Sequence, residues 1–384
     1  MKILVINSGS SSIKYQFTDT RLQEPLCKGM VERIGSKSSI LTHRRSKEKT
    51  ASIEVYAPDH NQAISHIFET LTKPTHHVIK SYKEISGIGH RVVHGDEIFT
   101  RPTLVTPEVI DTIEKLNELA PLHNPPAISG IRACQRFARG VRQVAVFDTA
   151  FHQTIEPYAY IYGIPYELYE ELKIRRYGFH GTSHKYVAKQ AAKRLNRELM
   201  DLSLITCHLG NGCSMTAVKN GRSLDTSLGF TPLEGLLMGT RCGDIDPAIV
   251  LYLMKKRHLS PEAMGDLLNK KSGLLGVSGL SNDMRDLLEA AASDNERAKL
   301  AIEMFLYRIK KYIGAYAASM DGLDAVVLTA GIGEDVPFVR ERIAKDLKNF
   351  LKNFRARILV IPTDEEMMIS QETADLLKGL RGQG

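Results

Sequence analysis

The sequence predicts an α/β fold divided into two domains that share a cleft, and three observations carry this expectation. At 384 residues the chain exceeds the size at which one hydrophobic core stops growing. Short β-branched apolar runs alternate with longer stretches of helical periodicity. A unit of strand, small-residue turn and returning strand occurs twice, at "KILVINSGSSSIKYQFTD" and at "LSLITCHLGNGCSMTAVKNG", so the two halves read as structural echoes.

Taken in order, "KILVIN" is the continuous apolar run of a buried strand, and "SIKYQFTD" alternates as its returning partner. Pro107 opens a helix through "PEVIDTIEKLNELA", and "RQVAVFDTAFH" supplies another strand. A change of character between Ala150 and Pro157, without a Pro/Ser-rich linker, places a hinge between packed domains there. In the second half, a long helix spans "NERAKLAIEMFLYRIKKYIGAYAASM" from Asn295. "LDAVVLTAGIGED" reads as a strand followed by a glycine turn and acids, delivering a loop to the cleft.

Composition narrows the function. Hydrophobic residues at 43% and charged residues at 25% are those of an ordinary globular chain able to bury sizeable cores. The net charge of +7 comes from lysines and arginines scattered among acids, with no basic block or aromatic-basic motif, which argues against nucleic acid and for small anionic substrates. Cys27, Cys134, Cys207, Cys213 and Cys242 form no C-x-x-C pair, the pattern of reduced thiols in a cytoplasm. The apolar run Ile3 to Ile6 is too short for a signal-peptide core, and no segment has the length to span a bilayer.

Glycine and serine let backbone N–H groups approach an anion closely, so "NSGSSS" and "GNG" are candidate phosphate cradles, although ordinary hairpin turns use the same residues. Neither a Walker A loop nor a G-x-G-x-x-G opening a helix is present. Arg91 in "GHRVVHG" and Arg241 in "MGTRCGDIDP" offer planar forks for carboxylate or phosphate. An arginine is more often salt-bridged at the surface, and the glycines on both sides of each narrow that margin. His180 and His184 in "HGTSH" stand at i,i+4, but no H-E-x-x-H accompanies them and Gly181 weakens a helix start there, so an anion donor is preferred to a transition-metal site. Asp148 and Glu365 follow apolar runs at strand ends, where α/β folds place functional groups and where oxygens for a hard cation such as Mg2+ are expected.

With these stretches in order, the chain resembles the acetate kinase family, small-carboxylate kinases of the actin, Hsp70 and sugar kinase superfamily. The resemblance rests on "NSGSSSIKY", "GHRVVHG", "PLHNPP", "FDTAFH", "YGFHGTSH", "HLGNGCSMTAVKNGRSLDTSLGFTPLEGLLMGTRCGDIDP", "DMRDLLEAA", "GIGED" and "IPTDEE", which span nearly the whole chain. It implies two ribonuclease-H-like (actin-like ATPase) domains facing an interdomain cleft. The N-terminal one is residues 1–150 completed by 364–384, and the C-terminal one, 151–363, carries the nucleotide and the main interface of a homodimer. It implies reversible, Mg2+-dependent transfer (with Mn2+ as a substitute) from ATP to acetate, giving acetyl phosphate and ADP.

Carried over by motif, Asn7, Asp148 and Glu365 would serve the metal, and Ser10, Ser12 and Lys14 the phosphates. Arg91, Asp148, His180, Asn211 and Arg241 would act at the carboxylate and the transferring phosphoryl group. His208, Leu209, Gly210, Asn211 and Gly212 would line the nucleotide site with Asp283, Met284, Arg285, Gly331, Ile332, Gly333, Glu334 and Asp335. Arg91, Val93, Leu122, His123, Phe179 and Pro232 would form the acetate pocket. Three positions depart from the family pattern: Asp96 where a second glycine is usual, Cys242 for serine and Asp335 for asparagine. The extra charge of Asp335 would repel ATP unless it points away.

The chemistry explains the cationic set. A carboxylate is already ionised at neutral pH, its reference pKa lying near 4, so nothing must be deprotonated and the task is to bring two anions together. Asp148 is therefore expected to orient or to sit in the metal shell rather than to act as an essential base. Two alternatives stand beside this reading. A propionate or butyrate kinase would show in the acid chain-length preference, and an ATP-switched binding protein would show ATPase activity independent of acetate.

Overall fold

A computed structural model of the chain describes residues 1–22, 24–46, 48–76 and 78–381. The chain folds as two compact units, Met1–Phe151 joined by the segment from Asp364 onward, and His152–Thr363.

The first unit is built on an eight-stranded sheet of β1 (Lys2–Ser8), β2 (Ser12–Asp19), β3 (Cys27–Glu32), β4 (Ser39–Arg45), β5 (Ala51–Val55), β6 (Gly87–Val92), β7 (Thr103–Leu104) and β8 (Gln143–Phe147). Its order is β5-β4-β3-β2-β1-β6-β8-β7. β1 to β5 form an antiparallel meander, and β6 and β8 continue the sheet parallel to β1. β1 is apolar and buried from Ile3 to Ile6 because it is covered on both faces there. Leu4 and Ile6 pack into a core with Ile64, Ile67 and Phe68 of the helix His60–Thr72 and with Ala133 and Cys134 of the helix Asn124–Phe137. Ile3 and Val5, pointing the other way, pack with Ile369, Ala374 and Leu377 of the helix Glu365–Arg381. Each large apolar side chain so buried contributes about 1.5–3 kcal/mol.

Two glycines of β6 fix how closely that last helix approaches. A Cβ on Gly87 would lie 2.3 Å from Leu377 Cδ1, and one on Gly89 would lie 2.4 Å from Thr373 Oγ1 and 2.7 Å from Ile369 Cγ2. A Cβ on Gly95 would lie 2.8 Å from the Phe147 ring, which stacks on Phe99 at 4.4 Å. The glycines flanking Arg91 therefore have packing reasons of their own.

The second unit holds a five-stranded sheet of β9 (Ser203–Leu209), β10 (Cys213–Lys219), β11 (Arg222–Thr226), β12 (Ala325–Thr329) and β13 (Arg357–Val360), in the order β11-β10-β9-β12-β13. As in the first unit, an antiparallel hairpin, β9–β10, adjoins a parallel neighbour, β12. The helix Glu296–Met320 is capped by Asn295, whose side chain accepts from the Ala298 amide at 2.9 Å. Ala298, Ala301, Ile302, Phe305, Ile309 and Ile313 make its buried stripe at helical spacing.

Three local expectations are corrected. The stretch after β12 is a short helix, Ala330–Asp335, rather than a glycine turn. It holds because Glu334 Oε1 accepts from its first amide, Ala330, at 2.7 Å. A helix does begin at Gly181 and runs to Leu195, with His180 at its start in the left-handed conformation, φ 56°. Gly181 is buried there. The helix from Pro107 is α-helical only to Lys115 and tightens to a 3-10 turn over Leu116–Glu118.

Candidate functional site

In the first unit, register decides which residues meet. Ile6 is level with His90, and Val92 with Phe147, across the parallel strands, so Asn7, Val93 and Asp148 emerge at one edge of the sheet, the carboxyl ends of the strands. Lys14 stands directly opposite Asn7 on the antiparallel pair and is exposed, as is Ser10, while Ser12 is partly exposed. The turn between them is closed by the Gly9 amide donating to Ser12 O at 2.7 Å.

The side chains at this edge interlock. Arg91 Nε donates to Asp148 Oδ1 at 3.1 Å, and Nη2 to Oδ2, while Nη1 lies 3.5 Å from Asn7 Oδ1. Glu365, at the start of the last helix, comes within 3.9 Å of Arg91 Nε. Burial opposes the Arg91 charge, but Asp148, Glu365 and Glu366 outweigh it and raise its pKa. The Glu365 carboxyl is pushed up to about 7, first by burial, with Asp148 and Glu366 adding to it against Arg91 and Lys14. Asn7 Nδ2 donates to Glu366 Oε1 at 3.1 Å, so Glu366, which sequence reading passed over, belongs to this cluster. Its signal was the paired acids of "DEE".

Around this edge, Val93 is nearly buried, whereas Leu122 is 66% exposed, and His123 precedes the first turn of the helix Asn124–Phe137. Asn124, also missed, ties the two motifs together: it accepts from the His94 amide and donates to the His94 carbonyl, each at 3.2 Å. Asp96 has φ 53°, a conformation that glycine adopts freely and that aspartate tolerates better than most, which accounts for a glycine-like position carrying Asp.

In the second unit, a Cβ on Gly212 would lie 3.3 Å from Arg241 Nη1 and 3.7 Å from His180 Cε1, so the arginine and the histidine flank the turn between β9 and β10. Arg241 Nη1 donates to the Pro232 carbonyl at 3.2 Å. Among the described residues no carboxylate pairs with Arg241, and burial lowers its pKa. Phe179, next to His180, is buried. The ring of His208 stacks on His180 with centroids 4.2 Å apart. Asn211 is positioned by the Gly239 amide, which donates to Asn211 O at 3.0 Å, and by Asn282 Nδ2, 2.9 Å from its Oδ1. His184 cannot ligate a metal with its neighbour, since its Nδ1 meets Thr206 Oγ1 and its Nε2 meets Ser214 Oγ, both at 2.7 Å. Cys242 is partly buried, and burial raises its thiol pKa.

A pocket of about 300 Å³ brings Gly210 and Asn211 together with Asp283, Met284, Arg285, Gly331, Ile332 and Asp335, and adds Asn282 and Val336 to the residues named from sequence. Arg285 is paired with Asp283, Nη2 to Oδ2 at 2.6 Å, and also feels the Asp335 charge, so a cation partly offsets that unusual acid. Leu209 is a core residue, and Gly333 packs on Leu328. Glu334 is turned inward: besides Ala330 N, its Oε1 accepts from Thr329 Oγ1 at 3.1 Å and Thr363 N at 3.0 Å.

The arrangement offers an anion-seeking arginine beside a histidine and a small-residue turn in one unit, and an arginine among carboxylates in the other. Comparison with known proteins agrees. A family model described as the acetokinase family matches residues 2–353. The acetate kinase of Caldicellulosiruptor saccharolyticus is 54% identical over 399 aligned residues, covering 98% of this chain and 100% of that protein. The crystal structure of Porphyromonas gingivalis acetate kinase superposes with a TM-score of 0.92 at 42% identity, covering 98% and 99% of the two chains. That of a propionate kinase from Francisella tularensis gives 0.89 at 42%, covering 97% and 99%. The fold is thus of the actin-like ATPase type, and the chain belongs to the acetokinase family.

Proposed function

We propose that this chain phosphorylates acetate from ATP, reversibly and by direct attack of the carboxylate on the γ-phosphorus. The observation that carries the mechanism is Arg241: a half-buried guanidinium at the turn between β9 and β10 with no carboxylate partner among the described residues, which is the state of a cation awaiting an anion. His180 supplies a second donor to the same group, and Asn211 a third. The pocket lined by Gly210, Asp283, Arg285 and Gly331 takes the nucleotide. Arg91, with Val93 beside it, takes the carboxylate, using the part of its fork that Asp148 leaves open, while Asp148 fixes the direction in which that fork points. No general base is required.

Asn7, Glu365 and Glu366, with Asp148 behind Arg91, offer oxygens to a hard cation, and burial, with the neighbouring carboxylates adding to it, raises the Glu365 pKa. Among the described residues no three His, Cys, Asp or Glu side chains form a site alone, which suits Mg2+, an ion that takes one or two carboxylates and completes its shell with phosphates and water. When bound, Mg2+ would neutralise charge on the β- and γ-phosphates. These residues would hold it, and Lys14 would add a second positive charge opposite Asn7.

We further propose a homodimer assembled through the second unit. The helix Pro247–Arg257 has no buried residue although it reads "PAIVLYLMKKR", and Leu251 and Tyr252 are more than half exposed. The five free cysteines suit a reducing cytoplasm, and no described helix is long and apolar enough to cross a membrane. Incubation with Mg-ATP, hydroxylamine and a series of acids tests the function. Acetohydroxamate is expected to exceed the propionate product, since a methylene is worth only ~1–3 kcal/mol, and a blank with folded protein would defeat the proposal. Preference for propionate would favour the activity named for the Francisella relative.

A further inference from the structure

Arg241 stands in a loop, residues 235–243, whose two feet are acidic, Glu234 on one side and Asp244 on the other. Each acid is gripped by one arginine and one tyrosine. Glu234 Oε1 accepts from Arg176 Nη2 at 2.7 Å, and its Oε2 accepts from the Tyr162 hydroxyl. Asp244 Oδ2 accepts from Arg308 Nη1 and from the Tyr312 hydroxyl, each at 3.0 Å. The feet are also joined to each other: the Gly235 amide donates to Asp244 Oδ1 and the Asp244 amide to the Gly235 carbonyl, both at 2.9 Å. Gly243 has φ 69°, and a Cβ there would collide with the Leu236 carbonyl, so the loop closes in this way only with glycine at that position.

We propose that Glu234 and Asp244 are positioning residues for phosphoryl transfer, the two clamps that set where the Arg241 guanidinium stands. The proposal rests on the function proposed above, in which Arg241 meets the transferring group.

Both clamps lead to Arg241 by short routes. Arg241 Nη1 donates to the Pro232 carbonyl at 3.2 Å, two residues before Glu234, so the Glu234 clamp places the oxygen that orients the fork. Asp244 lies three residues past Arg241, and the chain between the feet turns back on itself, the Met238 amide donating to the Arg241 carbonyl at 3.2 Å. Arg308 and Tyr312 stand one turn apart on the helix Glu296–Met320, and Phe305, Ile309 and Ile313 of that helix are fully buried. The Asp244 clamp therefore ties the loop to a rigid element.

The tip of the loop has main-chain anchors of its own. The Ser272 amide donates to the Thr240 carbonyl and the Cys242 amide to the Leu268 carbonyl, both at 3.0 Å. Loss of a clamp thus shifts the guanidinium rather than releasing the loop, and a displacement of about 1 Å can cost ~10²-fold in rate. Each acid is matched by its own arginine, so neither foot draws on Arg241. Burial, with the facing carboxylate adding to it, raises the pKa of Tyr162 and of Tyr312, so both phenols stay protonated as donors through the neutral range.

A double-mutant cycle tests this. E234Q and D244N, which keep the shape and lose the charge, should each lower kcat about 10-fold, with KM for ATP and acetate changed less than about twofold. In an R241A background the same exchanges should change kcat by less than about twofold, because the group they position is gone. In a side-chain 1H–15N spectrum, the Arg241 Nε–H signal, identified by its loss in R241A, should be displaced in both variants. Unchanged kcat in either variant, an equal drop with and without Arg241, or an undisplaced signal overturns the proposal. If E234Q or D244N does not fold, Y162F or Y312F, which removes one hydroxyl from the same clamp, takes its place in the cycle. A wild-type protein that makes no acetyl phosphate would instead defeat the proposed function, and the Arg241 signal then decides the clamps alone.

Discussion

Asp148 grips the Arg91 guanidinium along its Nε–Nη2 edge, Nε lying 3.1 Å from Oδ1, and the carboxylate is almost completely shielded while 21% of the Arg91 side chain remains exposed. The pair therefore fixes the direction of a cation whose free edge is still accessible. Arg241 is the counterpart with no carboxylate partner among the described residues. Loss of the charge partner at Arg91 and loss of Arg241 itself should therefore differ in their cost to stability.

Removing Asp148 leaves a guanidinium with the 3.5 Å contact to Asn7 and the 3.9 Å contact to Glu365. D148A should lose about 2–3 kcal/mol in urea unfolding, less than the ~3–5 of a fully buried broken pair because Arg91 is partly solvated. D148N should lower kcat, yet its pH–rate profile should keep the wild-type shape, because the acetate nucleophile carries no proton to remove. A lost acidic limb would assign Asp148 a proton-transfer role.

R241A should lose about 1 kcal/mol of stability or less, since it gives up one hydrogen bond to a carbonyl. Its turnover should fall ~10³-fold or more, the scale of an arginine that meets phosphoryl charge. Thermal melting and the hydroxamate assay on the same preparation separate the two effects. A large drop in melting temperature with near-normal turnover would reverse the assignment.

Chelation should abolish acetyl phosphate formation. N7A and E366Q should each raise the Mg2+ concentration for half-maximal rate, since Asn7 and Glu366 are joined at 3.1 Å and losing either disturbs both. A Mg2+ titration checks this, and curves superimposable on wild type would remove both residues from the metal shell.

G89A should destabilise the first unit by about 1–3 kcal/mol, because its Cβ would meet Thr373 Oγ1 at 2.4 Å and Ile369 Cγ2 at 2.7 Å. Denaturant unfolding reports it. Unchanged stability would mean that the last helix shifts away without cost.

Much of this was readable from the sequence because the signals are local. The uninterrupted apolar run of "KILVIN" announced a strand covered on both faces, and the small residues of "NSGSSS" and "GNG" announced the two tight turns. The order of nine motifs carried the family. What escaped reading depends on register. Nothing in "HGTSH" or "CSMTAV" says that Ser214 will stand between His180 and His184, because a helix start and a strand pairing create that contact. Glu334 sits in a motif expected to line the nucleotide site, yet its carboxylate turns inward to the Ala330 and Thr363 amides. Gly89 and Gly95 looked like marks of an active site and are accounted for by the side chains packed against them.

The proposed step is the attack of an acetate oxygen on the γ-phosphorus. Mixing the protein with Mg-ATP and acetate carrying 18O in both carboxyl oxygens, then reading the 31P spectrum, tests it. Acetyl phosphate whose phosphorus bears a single bridging 18O is expected. ADP and unlabelled phosphate released at a rate indifferent to acetate would contradict it.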